Sequence, residues 1–162
     1  MTIDAQHSAR SGAGPVARVP LQVRLFSPIL KALLAARLPL GYNRLVTIRG
    51  RTSGLPRTAG IAVIEVSGRR WVWAPWGEVN WVRNLRAAGR ATIRQRDGRT
   101  EEVLATELDA DERVAYFRDV LAPLARSLPF GVTFIKLVDG VDVTDPVRAA
   151  EGRRVFEIHA VS

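Results

Sequence analysis

Apolar and polar residues alternate with a period of two through most of the chain beyond Leu45. Leu45–Arg49, Thr58–Val66, Arg70–Ala74, Arg90–Arg96 and Glu101–Glu107 are short, rich in β-branched or aromatic residues, and bounded by turn formers; Arg153–Val161 reads as a closing strand. Turns are expected at Ser67-Gly68 and at Asp97-Gly98, the latter a strong hairpin signal. Two helical stretches interrupt the series. The first runs from about Glu78 to Ala88, with Gly89 as its C-cap. The second opens at Asp109, with Glu112 completing a capping box, and continues through Val114, Phe117, Val120, Leu121 and Leu124. Pro123 is predicted to kink or shorten it, because proline lacks the N–H that a helix interior uses. Residues 139–152 read as a loop excursion. Short, evenly spaced strands with few helices predict a mainly β, α+β domain: a small antiparallel barrel of about six strands with flanking helices.

Upstream, the pattern changes. Residues 1–20 are rich in Gly, Ser, Ala and Pro and predict a disordered tail. Residues 21–40 predict a basic amphipathic helix, and 41–162 the barrel domain. Within the helical segment, Ser27 is an N-cap, Pro28 fits the first helical position and Pro39 ends the run. Ile29, Leu30, Leu33, Leu34 and Leu38 form one apolar stripe. The segment is too short and too charged to span a bilayer. Two placements stay open for it: packed on the domain, or resting through residues 24–38 on an anionic membrane surface.

Composition narrows the chemistry. The chain has 162 residues, enough for one domain with a sizeable core, and no cysteine. Thiolate zinc sites, disulfides and cysteine nucleophiles are therefore excluded. His7 and His159 lie near opposite ends of the sequence, which argues against a histidine metal site or a Ser-His-Asp triad. A cytoplasmic location is expected, at the inner face of the membrane if the helix binds lipid. The net charge of +8 is uneven: from Ala5 to Ile64 there are nine basic and no acidic residues, whereas Glu65 to Ser162 carries fifteen of each. Such asymmetry points to an anionic partner. Nucleic acid is disfavoured, because no helix-turn-helix, zinc-finger or aromatic RNA-binding signature is present.

Two segments carry candidate chemistry. Gly50-Arg51-Thr52-Ser53-Gly54-Leu55-Pro56-Arg57 joins two strands and, with Arg49, places three arginines within nine residues. Glycines let backbone approach a ligand, hydroxyls and N–H groups donate hydrogen bonds, and guanidinium groups bind phosphate or carboxylate bidentately. The segment fits either a cradle for an anionic ligand or a solvated hairpin turn. The second segment, Trp71-Val72-Trp73-Ala74-Pro75-Trp76-Gly77-Glu78-Val79-Asn80-Trp81, holds all four tryptophans. Trp71 and Trp73 fall on one face of a strand and suit core packing. Trp76 and Trp81 flank the strand-to-helix break, where an aromatic can stack on a planar ring and helix N–H groups can meet an anion. Asn80 and Asn84 share a helix face, and Asn84 could bond either loop backbone or ligand.

In this order and spacing, the Gly50–Arg57 unit and the run Gly77 to Gly89, with Asn80-Trp81-Val82-Arg83-Asn84-Leu85-Arg86, resemble the deazaflavin-dependent nitroreductase family. Those are split β-barrel oxidoreductases that use coenzyme F420, among them F420H2-dependent quinone reductases. The resemblance covers roughly Leu45 to Glu107. It implies a split barrel, a possible homodimer, and a groove in which basic residues of the first loop hold the phosphate and oligoglutamate tail. Arg57 matches the family's basic residue at the loop's end, with Arg51, Thr52, Ser53 and Gly54 beside it. Ala74, Pro75, Trp76 and Gly77 would face the ring system, with Asn80, Trp81 and Asn84 from the helix. The family commonly has lysine where this chain has Thr52, and small or hydroxyl residues and then lysine where it has Pro75-Trp76. Arg49, Arg51, Arg83 and Arg86 are the candidates to supply those two charges. Tyr42 and Tyr116, the only tyrosines, do not match the family's substrate-side tyrosines. The implied activity is hydride transfer from F420H2 to a small quinone, enone or nitro compound, with FMN a less favoured cofactor and no catalytic side chain assigned. Alternatives are a non-catalytic holder of F420, flavin or haem, and a membrane-peripheral reductase of lipophilic substrates.

Overall fold

In the computed structural model, which describes residues 42–161, six strands close into an antiparallel barrel. They are β1 (Asn43–Arg49), β2 (Pro56–Val66), β3 (Arg69–Ala74), β4 (Arg90–Arg94), β5 (Thr100–Glu107) and β6 (Arg154–Ala160). Neighbours run β1-β2-β3-β6-β5-β4, and β1 closes on β4 through pairs such as Leu45↔Arg94 and Thr47↔Thr92. The expected tail over 1–20, the helix over 21–40 and its membrane-facing stretch 24–38 lie outside the described residues.

Alternation along the strands builds two cores on the two faces of the wall. Val46, Ile48, Ile61, Val72, Ala74, Ile93, Val103, Phe156 and Ile158 face inward. Helix α1 (Asn80–Ala88) adds Val82 and Leu85 to that cluster, so the barrel is plugged by one helix face. Trp71, Trp73, Ile64 and Val155 face outward and are covered by helices. Trp71 lies 5.7 Å from Tyr116 and Trp73 meets Phe117 edge-on at 5.8 Å, the core packing expected of those two tryptophans.

The covering helices differ from the sequence expectation in two places. Helix α2 (Ala110–Ala115) opens on the predicted box: Asp109 accepts the Glu112 N–H, and Glu112 accepts the Asp109 N–H. The disturbance expected at Pro123 takes the form of a change of helix type. The chain widens into a π-helical segment, Tyr116–Leu121, and re-enters α geometry as α3 (Ala122–Ser127). The wide turn, in which the Ala122 N–H reaches Phe117 O, is how a helix passes a residue that cannot donate. Next, α4 (Gly131–Asp139) was not anticipated at all. Finally, the supposed loop excursion contains α5 (Pro146–Ala150), capped by Asp145. It buries Val141, Val143, Ala149 and Ala150 in the outer core. Asp145-Pro146 is an N-cap and first-position pair whose signal five helical residues were too few to amplify.

Candidate functional site

The β1–β2 connection is a closed, self-bonded loop. Gly50 N–H donates to Leu55 O at 2.9 Å and Gly54 N–H to Gly50 O at 2.8 Å. Ser53 Oγ accepts the Leu55 N–H at 3.3 Å. Its three arginines frame it. Gly54 has φ +69°, and the Arg49 guanidinium lies against its α-carbon, 3.5 Å from where a β-carbon would stand. The Arg57 stem passes Gly50 in the same way at 3.7 Å. Arg51 donates its backbone N–H at 3.3 Å and Nη1 at 2.9 Å to Asn84 Oδ1. Arg49, Arg51, Thr52, Ser53 and Arg57 are all exposed. Among the described residues, none of these three arginines forms an ion pair.

The β3–α1 connection is built differently. Ala74 is fully buried, and Pro75 and Trp76 are half-buried, with Trp76 packed on the barrel core. Gly77 has φ +71°, and a β-carbon there would stand 2.4 Å from Gly152 O, so the turn is pressed onto the segment entering β6. The helix begins without a side-chain cap: Val79 precedes it, and the first turn contains no acid. Trp81 packs on Phe156 at 6.3 Å, Asn80 is exposed, and Gly89 ends the helix in the left-handed conformation.

Beside this turn, charges are fully paired. Glu78 accepts from Arg86 at 2.8 Å and from Arg154 at 2.7 Å, and Arg83 lies 3.7 Å away. Arg86 also reaches Glu107 at 2.5 Å. The Arg86 hydrogen bond, with that of Arg154, holds the Glu78 carboxyl down at about 2, and both carboxylates push the Arg86 guanidinium up.

Tertiary structure therefore brings the two candidate segments together through Asn84, which bonds the loop. Of the two roles left open for Asn84, the bond to loop backbone is present in this structure. Asn80, one turn earlier, points to solvent. Arg83 and Arg86, offered as substitutes for the family's lysines, are engaged with Glu78; Arg49 and Arg51 are not paired with carboxylates. Tyr116 is buried in the outer core with its hydroxyl unpartnered, and Tyr42 packs against the same core. Glu78, Glu107, Arg154 and Gly152 escaped the sequence reading. Arg154 lies 76 residues from Glu78, and no local pattern signals such a pair. Among the described residues, no group of His, Cys, Asp and Glu could hold a metal ion, and no helix is long and apolar enough to cross a membrane.

The family model described as F420H(2)-dependent quinone reductase matches residues 29–126, more than half of the chain. No curated protein matches it. Similar solved structures include the hypothetical protein Rv2991 from Mycobacterium tuberculosis, at 15% identity and TM-score 0.47, covering 82% of this chain and 81% of that one. HutZ, the heme storage protein from Vibrio cholerae, is similar at 15% identity and TM-score 0.48, over 83% and 89% of the two chains. An F420 reductase is similar at 17% identity and TM-score 0.40, over 82% and 93%.

Proposed function

The chain belongs to the F420H(2)-dependent quinone reductase family, and from that premise we propose that it binds coenzyme F420 against the β1–β2 loop and reduces small electron-poor acceptors: quinones, enones or nitro compounds. One observation carries the reading. Three guanidinium groups frame a loop docked on helix α1, and none of them is spent on a described carboxylate, whereas the arginines of the neighbouring turn are. A donor set of this kind suits a ligand bearing phosphate and carboxylate groups, because guanidinium forks bind both bidentately.

We assign Arg57 as the anchor of the anionic tail, with Arg49 and Arg51 supplying the charges that the family's lysines would bring. Thr52 donates its hydroxyl, and Ser53, which accepts from Leu55, keeps its own proton to give. The turn Ala74–Gly77 is assigned to the ring system, with Trp76 and Trp81 as apolar walls that keep water away. When bound, the deazaflavin supplies the hydride; the protein supplies orientation, a dry wall and charge complementarity. No carboxylic acid or histidine is assigned to the site, so the proton that completes reduction comes from solvent.

Quenching of F420 fluorescence by the protein tests binding, and consumption of F420H2 in the presence of quinones, enones and nitro compounds tests turnover. The expected result is saturable quenching with turnover on at least one acceptor class. Saturable binding with no turnover on the whole panel would leave a cofactor-holding role in its place. Preference for FMN or haem, with no F420 bound, would overturn the reading.

A further inference from the structure

Asn84 is the buried polar residue of the described cores, 8% exposed, and two donors converge on its Oδ1: the Arg51 backbone N–H and Arg51 Nη1. That convergence also identifies the atom as the oxygen, since the amide nitrogen could accept neither bond. The acceptor is uncharged. Other arginines give either to backbone carbonyls, as Arg113 does to Leu108 O at 3.0 Å, or to side-chain carboxylates: Arg69 to Glu157 at 2.8 Å, Arg70 to Glu101 at 2.7 Å, Arg154 to Glu78 at 2.7 Å. Aspartate has nearly the same shape as asparagine and would grip a guanidinium more strongly, because a charge-assisted hydrogen bond is roughly twice as strong as a neutral one. For a purely structural clamp between loop and helix, aspartate would therefore serve better.

We propose that Asn84 is a positioning residue whose neutrality is its function: it aims the Arg51 guanidinium while leaving its full charge for an anionic ligand. Arg51 carries five N–H donors in a rigid fork and gives one to Asn84, so the remainder stay available to phosphate or carboxylate oxygens. Because Asn84 sits in the middle of α1, the fork is fixed to a helix packed on the barrel core through Val82 and Leu85. Its backbone bond to Arg51 holds the loop's first turn as well, which lowers the ordering cost on binding. The ligand's identity as F420 rests on the function proposed above; the role of the neutral clamp does not.

The test uses Asn84→Asp, Arg51→Gln and the double variant in the full chain, with two probes. F420 binding is read by fluorescence quenching, and inorganic pyrophosphate binding by amide shifts of residues 50–57 in labelled protein, each over a range of salt. Asn84→Asp is expected to weaken both ligands about tenfold, since an ion pair now competes for Arg51, and to flatten the salt dependence. Arg51→Gln should do the same, and the double variant should be no worse than either single one. Asn84→Leu, which frees Arg51 without neutralising it, should weaken binding but keep the wild-type salt dependence. Wild-type affinity and salt dependence in Asn84→Asp would overturn the proposal. If that variant does not fold, wild-type affinity in Arg51→Gln overturns it equally. Pyrophosphate behaving as expected with no F420 binding would remove the proposed function and leave the clamp standing; binding of neither probe would overturn both.

Discussion

Two turns beside the same helix are flanked by arginines and treat that charge in opposite ways. The β1–β2 loop presents Arg49, Arg51 and Arg57 to solvent, oriented by glycine contacts and an amide oxygen. The β3–α1 turn surrounds itself with Arg83, Arg86 and Arg154 and ties the last two to Glu78 and Glu107. In the second turn, charge joins one element to another; in the first, it is the charge that the proposed function assigns to an anionic ligand. The same residue type is thus tied down or left exposed according to whether a carboxylate reaches it.

Substitutions at the two glycines open that comparison most widely. Gly77→Ala should cost about 3 kcal/mol or more, because a left-handed backbone is combined with a collision on Gly152 O. Gly54→Ala, at a similar φ but facing only a movable guanidinium, should cost about 1 kcal/mol. Thermal or urea unfolding of the pair reads the difference; equal losses would show that the β3–α1 turn is no more rigid than the loop.

Of the two turns, acid should act on the paired one. The Glu78 carboxyl is held at about 2, below its ordinary value of 4.5, so between those limits the unfolded chain binds protons that the folded one refuses. That contribution, about 3 kcal/mol at most and about 2 kcal/mol once solvent screening of this partly exposed group is allowed for, is complete above pH 4.5 and lost as pH falls towards 2. Glu78→Gln should remove this part of the acid sensitivity, measured as unfolding free energy between pH 5 and about 2.5.

Arg86→Ala leaves two carboxylates without their fork and should destabilise by about 1–2 kcal/mol, with little direct effect on the salt dependence of ligand binding. Arg57→Ala should do the reverse: a stability change within about 0.5 kcal/mol, and F420 binding weakened about tenfold with a shallower salt dependence. If Arg57→Ala instead unfolded the protein while Arg86→Ala weakened binding selectively, the roles assigned to the two turns would have to be exchanged.

Much of the architecture was legible in the sequence because it depends on local periodicity. Period-two runs place the six strands to within a residue or two, the Asp109–Glu112 box marks a helix start, and Gly89 marks a helix end. The errors fall where a local signal was overridden. The helix is distorted ahead of Pro123 as expected, whereas five-residue α5, read as loop, gains its place from Ala149 and Ala150 packing on the outer core. At the candidate site, the loop and the helix were visible as separate motifs. Their meeting through Asn84 was only one of two options, because Arg51 and Asn84 are 33 residues apart and no local pattern joins them.

By itself, then, the sequence determined which segments alternate, where they turn, and that an arginine-rich loop lies between the first two strands. Those are properties of neighbouring residues and need no knowledge of the rest of the chain. Only the closed barrel decided which arginines are neutralised, because the carboxylates that bind Arg86 and Arg154 come from residues 21 and 76 positions away. Coulomb attraction at hydrogen-bond distance is strong and falls off within a few ångströms in water, so the fate of each charge was settled by tertiary proximity.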